Sequence, residues 1–483
     1  MLSETTPLRT SRYNFHVPVE DGAILYNTRT AALLQFRGPD ALTLTKSLCS
    51  IETSIPPGVL TAEVVDTLQN SGFIISPHFD EVAEIRKLFQ HARHETPMVL
   101  TLTTTMDCNL GCYYCYEQRS AHHITYAELP AILELVRTRL AGSHQQALHV
   151  DWYGGEPLMN LAFMEQASRE LQTLCEHLSV AYTASIISNG TCWPENVGEF
   201  IARHRLTQVQ ISFDGLAENH NRRRHFRKGY SVRDDMSSFQ RAVRVVDQLL
   251  DHVRVDLRLN IDRGNVADVL PFIQWARTRG WFVRAFPAVI QPARLASYSH
   301  SSEFMRDVEL SVTEFNQIQT SIRETVSTFA RLEESEAPDG FPYPRTSVCA
   351  ALANDSVVIG ADGLHYRCGL QVGETHRAVG TIQKLEKRSL PMFTPLPSQH
   401  ATDHEWWHAF DPTTLPNCKR CSFLPICWGG CPKRHLENDQ HALAEQGSYW
   451  RTNLARMIGT VAGIEPPPAF AYSEQDQFRV SSF

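Results

Sequence analysis

The spacing of hydrophobic and polar positions changes character along the chain. Over residues 10–95 the runs are short: DGAILYN and AALLQF read as strands around a turn, GPDALTLTKSLCS and LTAEVVDTLQNSG carry apolar residues at helical spacing, and GFIIS returns to a strand. Strands with two or three short helices in that order predict a winged-helix-like module over residues 1–95. From residue 97 the two periods alternate. MVLTLTTT, ALHVDWYGG, AYTASIISNG, QVQISFDG, RVDLRLNID and FVRAFPAVI read as strands. Between them TYAELPAILELVRTRL, FMEQASRELQTLCEHL, SFQRAVRVVDQLL and NVADVLPFIQWARTRG read as amphipathic helices. Each return to a parallel neighbour needs a helical crossover. Right-handed crossovers curl six such strands into a partial (β/α)6 barrel, an α/β fold spanning residues 96–299. Chemistry in such barrels sits at the C-terminal ends of the strands. Residues 300–345 follow as a helical bridge and a polar, Pro-bearing linker, EESEAPDGFPYP. Residues 346–435 are thiol-rich with little helical period; SVVIGADGLHYRC reads as a hairpin turning at Ala361, Asp362 and Gly363. Residues 436–483 read as a C-terminal tail.

Composition narrows the class. The 483 residues are 42% hydrophobic and 20% charged, which excludes a collagen-like, low-complexity or wholly disordered chain. Lys plus Arg number 45 and Asp plus Glu 53, and the balance of −8 argues against wrapping nucleic acid. A cationic peptide partner is compatible with it. Apolar runs fall short of the ~20 residues that span a bilayer, so no membrane association is expected. The start, MLSETTPLRTSRYNF, lacks the apolar region of a secretory signal, so the expected location is cytoplasmic. Twelve cysteines change the picture most. Cys49, Cys175 and Cys192 stand alone, and the other nine are clustered. A large cytosolic chain neither needs nor keeps disulfides, so clustered thiols read as metal ligands.

The segment DCNLGCYYCYE places Cys108, Cys112 and Cys115 at spacing C-x3-C-x2-C directly after the first barrel strand. Three thiolates on one loop can bind three irons of a [4Fe–4S] cube and leave the fourth free for a substrate or cosubstrate. Structural zinc, completed by His122 or His123, is the alternative.

With Tyr114 before the last Cys, this loop resembles that of the radical S-adenosylmethionine (SAM) superfamily. The resemblance implies a [4Fe–4S] cluster whose free iron chelates SAM, and reductive cleavage of SAM to a 5′-deoxyadenosyl radical that abstracts hydrogen from substrate. Further motifs match in order. WYGGEP, through Gly154, Gly155 and Glu156, resembles the family's SAM-amine motif. SNGT, through Ser188 and Asn189, resembles the ribose-side position, and SFDG supplies Ser212 and Asp214. ENHNRRR resembles the family's H-D-x-x-R stretch through His220 and Arg224, with Asn221 replacing the Asp. No general base stands out; Asp214, Glu156 and Tyr116 read as cofactor contacts or packing.

The second thiol group begins at Cys349, continues through Gly363-x4-Cys368, and ends in Cys418, Cys421, Cys427 and Cys431 at spacing C-x2-C-x5-C-x3-C. It resembles the SPASM domain of radical SAM enzymes. The resemblance implies one or two auxiliary [4Fe–4S] clusters, one on Cys349, Cys368 and Cys431 and the other on Cys418, Cys421 and Cys427. The family closes the latter with a further Cys, and this sequence has none after Cys431. His435, Glu437, Asp439, His441 or Glu445 could substitute, or the cluster is open or lost; a zinc ribbon on Cys418 and Cys421 is the alternative. The N-terminal module resembles the precursor-recognition element of peptide maturases. Together these imply a maturase of a ribosomally made precursor peptide, making a thioether or C–C crosslink. Its partners would be the precursor, with its leader on the N-terminal module, and an electron donor such as flavodoxin or ferredoxin. Formylglycine formation of the anaerobic sulfatase-maturating type, epimerisation, peptide excision and a non-catalytic iron–sulfur protein are the alternatives.

Overall fold

Apolar side chains on one face of each strand and helix require a covering partner, and the chain provides it in two units. The computed structural model describes residues 8–50, 54–55, 60–117, 119–230, 235–297, 300–329, 341–382, 401–464 and 470–478. Among these, one unit takes the chain up to Arg93, residues 341–348 and the chain from Ala409; the other takes the stretches from His94 to 329 and from Cys349 to His408. The first unit opens with β1 (Leu8–Thr10), β2 (Asn14–Val19), β3 (Gly22–Asn27), β4 (Leu33–Arg37), α1 (Ala41–Leu48), β5 (Ser54–Ile55), α2 (Ala62–Asn70), β6 (Ile74–Ile75) and α3 (Glu81–Glu95). Strands β2, β3 and β4 form one antiparallel sheet, and β5, β1 and β6 a second. The short strands and helices read from the sequence recur as β3, β4, α1, α2 and β6. Strand β2 escaped that reading because Pro18 interrupts NFHVPV; it sits at the sheet edge, where a missing N–H costs no ladder bond.

The second unit carries β7 (Met98–Thr105), α4 (Leu129–Ala141), β8 (Ala147–Gly154), α5 (Leu161–Leu178), β9 (Ala181–Ser188), α6 (Val197–His204), β10 (Leu206–Phe213), α7 (Ala217–Arg223), α8 (Ser238–Leu249), β11 (Arg254–Ile261), α9 (Val269–Thr278), β12 (Val289–Arg294), α10 (Val312–Ser327), β13 (Val357–Ile359), β14 (Leu364–Tyr366), β15 (Gly380–Thr381) and α11 (Ala401–Ala409). Strands β7 to β12 are parallel and adjacent in chain order. Their helix-covered face is apolar: Leu148, Val150, Trp152, Ala184, Ile186, Val209 and Ile211 are all buried in one core. The alternate positions, His149, Asp151, Tyr153, Thr183, Ser185, Gln208 and Gln210, are polar and half-buried. A parallel sheet covered on both faces reads as a continuous apolar run. The strict alternation here leaves an inner face that is polar and open.

The sixth strand corrects the sequence reading. FVRAFPAVI is not a strand from its start: Trp281–Val283 make a 3₁₀ turn, and β12 begins only at Val289. Trp281 and Phe282 are buried, with Trp281 packed against Trp275 and Phe213, so this segment fills the core between sheet and helices instead of lengthening the strand. Pro292 obscured the true strand, which tolerates it as a sheet edge. The expected hairpin is β13–β14, and β13 docks in parallel on β7, pairing Val357 with Leu100 and Ile359 with Leu102. Of the linker EESEAPDGFPYP, residues 333–340 lie outside the described residues.

The chain re-enters the first unit through α12 (Pro416–Arg420), α13 (Leu424–Cys427), α14 (Pro432–Leu436) and α15 (Gln440–Ala462). Nearly half of the expected tail is therefore the long helix α15. Leu454 and Ile458 of α15, with Phe423 and Ile426, share a core with Phe15, Val17, Ile24 and Tyr26 of the β2–β3 hairpin. Phe15 stacks on Phe423 at 5.0 Å between ring centroids. No helix among the described residues is long and apolar enough to cross a membrane.

Candidate functional site

Strand β7 delivers the chain at its C-terminal end directly into the loop of Cys108, Cys112 and Cys115. Burial pushes the Cys108 thiol up to about 12 and the Cys115 thiol up to about 11, and raises Cys112 as well. Thiols held that way stay protonated until a cationic centre draws the protons off. Donors already face the sulfur that such a centre would make anionic: Leu110 N lies 3.5 Å and Asn189 Nδ2 3.6 Å from Cys108 Sγ. The loop is strapped by a segment the motifs did not flag. Arg227 Nη1 donates to Asp107 Oδ1 and to Cys108 O, each at 2.8 Å, and Tyr230 OH donates to Asp107. His122 and His123 are exposed and bond to Ser120 Oγ and Ala121 O.

Gly154 and Gly155 end β8 against this loop. Gly154 has φ +125°, and a Cβ there would meet Thr105 O at 2.3 Å; a Cβ on Gly155 would meet Asp107 O at 2.3 Å. Only glycine permits that approach. Glu156 follows, fully buried, and burial raises its carboxyl to about 7. Its oxygens accept from Asn189 N (2.7 Å), Ser188 Oγ (3.0 Å) and Leu158 N (3.2 Å). Glu156, Ser188 and Asn189 thus form one buried network joining the ends of β8 and β9, and Asn189 Nδ2 extends it to Asn109 Oδ1 of the thiol loop at 2.9 Å. Cys192, read as isolated, belongs here too, accepting from Asn109 Nδ2 at 3.4 Å.

Asp214, after β10, is fully buried and accepts from Tyr114 OH (2.7 Å) and Arg223 Nε (2.7 Å). Arg223 was not singled out by motif, yet its fork also holds Asp262 at 3.0 Å through both Nη atoms. Arg224 donates to Tyr114 OH at 2.7 Å, and its buried Nε has no partner. A buried guanidinium donor without an acceptor, beside the thiol loop, fits a carboxylate such as that of SAM. His220 is wholly buried between Phe213 and Phe239 with both ring nitrogens unpartnered, and burial holds it neutral. Asn221, the departure from H-D-x-x-R, accepts from Phe239 N (3.1 Å) and Ser238 Oγ (3.2 Å) at the start of α8, a task a neutral amide performs well. Ser212 pairs across the sheet with Arg258, and Tyr116 shares a hydroxyl contact with Tyr153 of the inner face.

In the first unit, Cys418, Cys421 and Cys427 line one cavity of about 410 Å³. Burial raises Cys418 and Cys421 to about 12. Cys349 and Cys368 belong to the second unit and Cys431 to the first, so their grouping rests on the family resemblance alone. Among the candidate substitutes, Glu437 is paired with Lys433 and Asp439 with Arg434, each at 2.6 Å.

Residues 102–276 match the model of the radical SAM superfamily. The sporulation killing factor maturation protein SkfB of Bacillus subtilis is 23% identical over 224 residues, covering 46% of this chain and 48% of that protein. A serine-type anaerobic sulfatase-maturating enzyme of Klebsiella pneumoniae is 22% identical over 355 residues, 71% of this chain and 83% of that one. The chain spans less than half the length of the first curated relatives it matches, 48% and 37%. The solved structure of native anSMEcpe with bound AdoMet superposes with a TM-score of 0.53 at 19% identity, covering 76% of this chain and all of that one, a likeness of fold.

Proposed function

Residues 102–276 being a radical SAM domain, we propose that the protein is a maturase that crosslinks a ribosomally made precursor peptide through a thioether or carbon–carbon bond. The observation that carries this reading is the open, polar inner face of the barrel below the Cys108–Cys115 loop. Its His149, Asp151, Ser185 and Gln208, bonded among themselves and to Thr183 and Asp256, make a polar wall that suits an extended peptide, whose backbone needs polar partners along its length. When bound, the cluster and SAM supply the electron and the 5′-deoxyadenosyl group that abstracts hydrogen. The chain's own residues would do the rest: three thiols would hold the cluster, Arg224 would receive the carboxylate, Asn189 and Leu110 donate to sulfur, and the Glu156 network fixes the loop's position.

In this reading the first unit captures the leader as an added strand on the outer edge of β4, a half-exposed edge of its sheet. The β2–β3 hairpin shares its core with α15, so deleting residues 1–90 would strip that core; proline at Gln35, whose N–H lies on the outer edge, is the cleaner probe. The second reading is formylglycine formation in a folded protein, favoured by the length of the alignment to the Klebsiella enzyme.

The test has two parts. Replacing Cys108, Cys112 and Cys115 with Ala should abolish reductive cleavage of SAM to 5′-deoxyadenosine; retained cleavage would refute the site. Co-expression with a short neighbouring reading frame should lower the product's mass by a pair of hydrogens per crosslink without creating an aldehyde. An aldehyde-reactive product from a sulfatase substrate would instead establish the second reading.

A further inference from the structure

A four-iron cube has four corners, and the cavity in the first unit offers three thiols among its lining residues, Cys418, Cys421 and Cys427. The backbone around them is shaped for anionic sulfur. Trp428, Gly429 and Gly430 take φ values of +47°, +79° and +75° in succession; the Gly430 N–H donates to Cys427 O at 3.1 Å, and both glycine amides favour a charged Cys427 sulfur. Successive amides bent this way form an anion-binding concavity, and hydrogen bonds to sulfur are what a protein uses to tune such clusters. Gln477 Nε2 adds a donor to Cys421 Sγ at 3.7 Å. Resting on the reading of these thiols as an iron–sulfur site, we propose that His435 is the ligand of the fourth iron.

The alternatives are spoken for by geometry. Glu437 is tied to the buried Lys433, and Asp439 both pairs with Arg434 and caps α15 through Ala442 N. His441 and Glu445 are not among the residues that line the cavity, and the Glu474 side chain at its rim is 78% exposed. Trp450 faces the thiols from α15 and cannot ligate. His435 lines the cavity from α14, one turn after Cys431. A Cβ on Gly429 would touch His435 Nε2 at 3.5 Å and Cys418 Sγ at 3.6 Å, so the imidazole and the thiol flank the same point. Nε2 sits 2.8 Å from Gly429 O, to which it donates as N–H, and this assigns ligation to Nδ1. One ring nitrogen anchored on a carbonyl and the other left to the metal is the arrangement of a ligating histidine. A neutral imidazole in place of a thiolate makes the cluster less negative and raises its potential.

The experiment uses full-length protein with Cys108, Cys112 and Cys115 replaced by Ala, labelled with ¹⁵N-histidine and reduced anaerobically, so that only auxiliary clusters contribute to pulsed EPR. A histidine nitrogen coupled to the reduced cluster is expected. His435→Ala should remove the coupling and lower the iron content, whereas His435→Cys should restore iron, show no nitrogen coupling and lower the reduction potential. Coupling that survives His435→Ala, or is absent while Cys418, Cys421 and Cys427 still bind iron, overturns the assignment. If replacing those three thiols with Ala leaves iron content unchanged, no cluster is held there, and the underlying reading falls with the proposal.

Discussion

Replacing Arg223 with Met removes the one side chain that neutralises two wholly buried carboxylates. Its Nε lies 2.7 Å from Asp214 Oδ2, and its Nη1 and Nη2 lie 3.0 Å from the two oxygens of Asp262. Breaking a buried pair from one side costs about 3–5 kcal/mol, because the remaining charge has lost its partner. Here each carboxylate keeps some compensation. Asp262 accepts from Gly264 N at 2.8 Å, and Asp214 from Tyr114 OH at 2.7 Å with Arg224 at 3.7 Å. The expected loss is therefore at the low end, about 3 kcal/mol. With an m-value near 3 kcal/mol/M, urea unfolding of the metal-free, reduced protein should shift its midpoint by about 1 M. Arg223→Lys keeps the charge but not the fork, and should cost less, about 1–2 kcal/mol. The decisive variant is the double one. Arg223→Met with Asp262→Asn removes an orphaned charge, so it should be more stable than Arg223→Met alone. Iron retention at the first thiol loop should fall in parallel, since Tyr113 and Tyr114 of that loop bond to Asp262 and Asp214. A midpoint unchanged by Arg223→Met, or a double variant no better than the single one, refutes the reasoning.

Gly155→Ala should impair iron retention at the first loop, because the new Cβ would lie 2.3 Å from the Asp107 carbonyl and backbone must move; normal iron content would refute it. Asn221→Ala should lower stability by about 1 kcal/mol through the lost acceptor for Phe239 N, while Asn221→Asp keeps that acceptor and should be nearly neutral; equal losses in thermal unfolding would refute this role. His204 is buried with both ring nitrogens unpartnered, and burial holds it at about 4. The unfolded chain takes up that proton near pH 6.5 and the folded chain only near 4, so stability falls as pH drops through this window. The loss reaches at most about 3 kcal/mol, and His204→Phe should flatten the acid limb of urea unfolding between pH 7.5 and 5; an unchanged slope would contradict the assignment.

Strand and helix positions in the barrel were legible because they are local. The alternation in ALHVDWYG and AYTASIIS reports which side chains share a face, and the helical spacing between them requires a crossover; five of the six strands lie where that pattern places them. The thiol spacing was legible for the same reason, since one loop carries Cys108, Cys112 and Cys115. Residues of separate motifs come together in the fold: Glu156, Ser188 and Asn189 converge, as do Asp214 and Arg224. Their pattern did not say what they touch. Glu156 spends its carboxylate on protein donors, and the glycine pair exists to let β8 approach the thiol loop. Arg223 with Asp262, Arg227 with Asp107, β13 on β7 and α15 against the β2–β3 hairpin join positions from about forty to more than four hundred residues apart. Periodicity states that a face is apolar or that a charge exists. Which partner covers the face or neutralises the charge is decided only when folding brings distant segments within contact range, and that is why the thiols were visible in the sequence while the groups that position them were not.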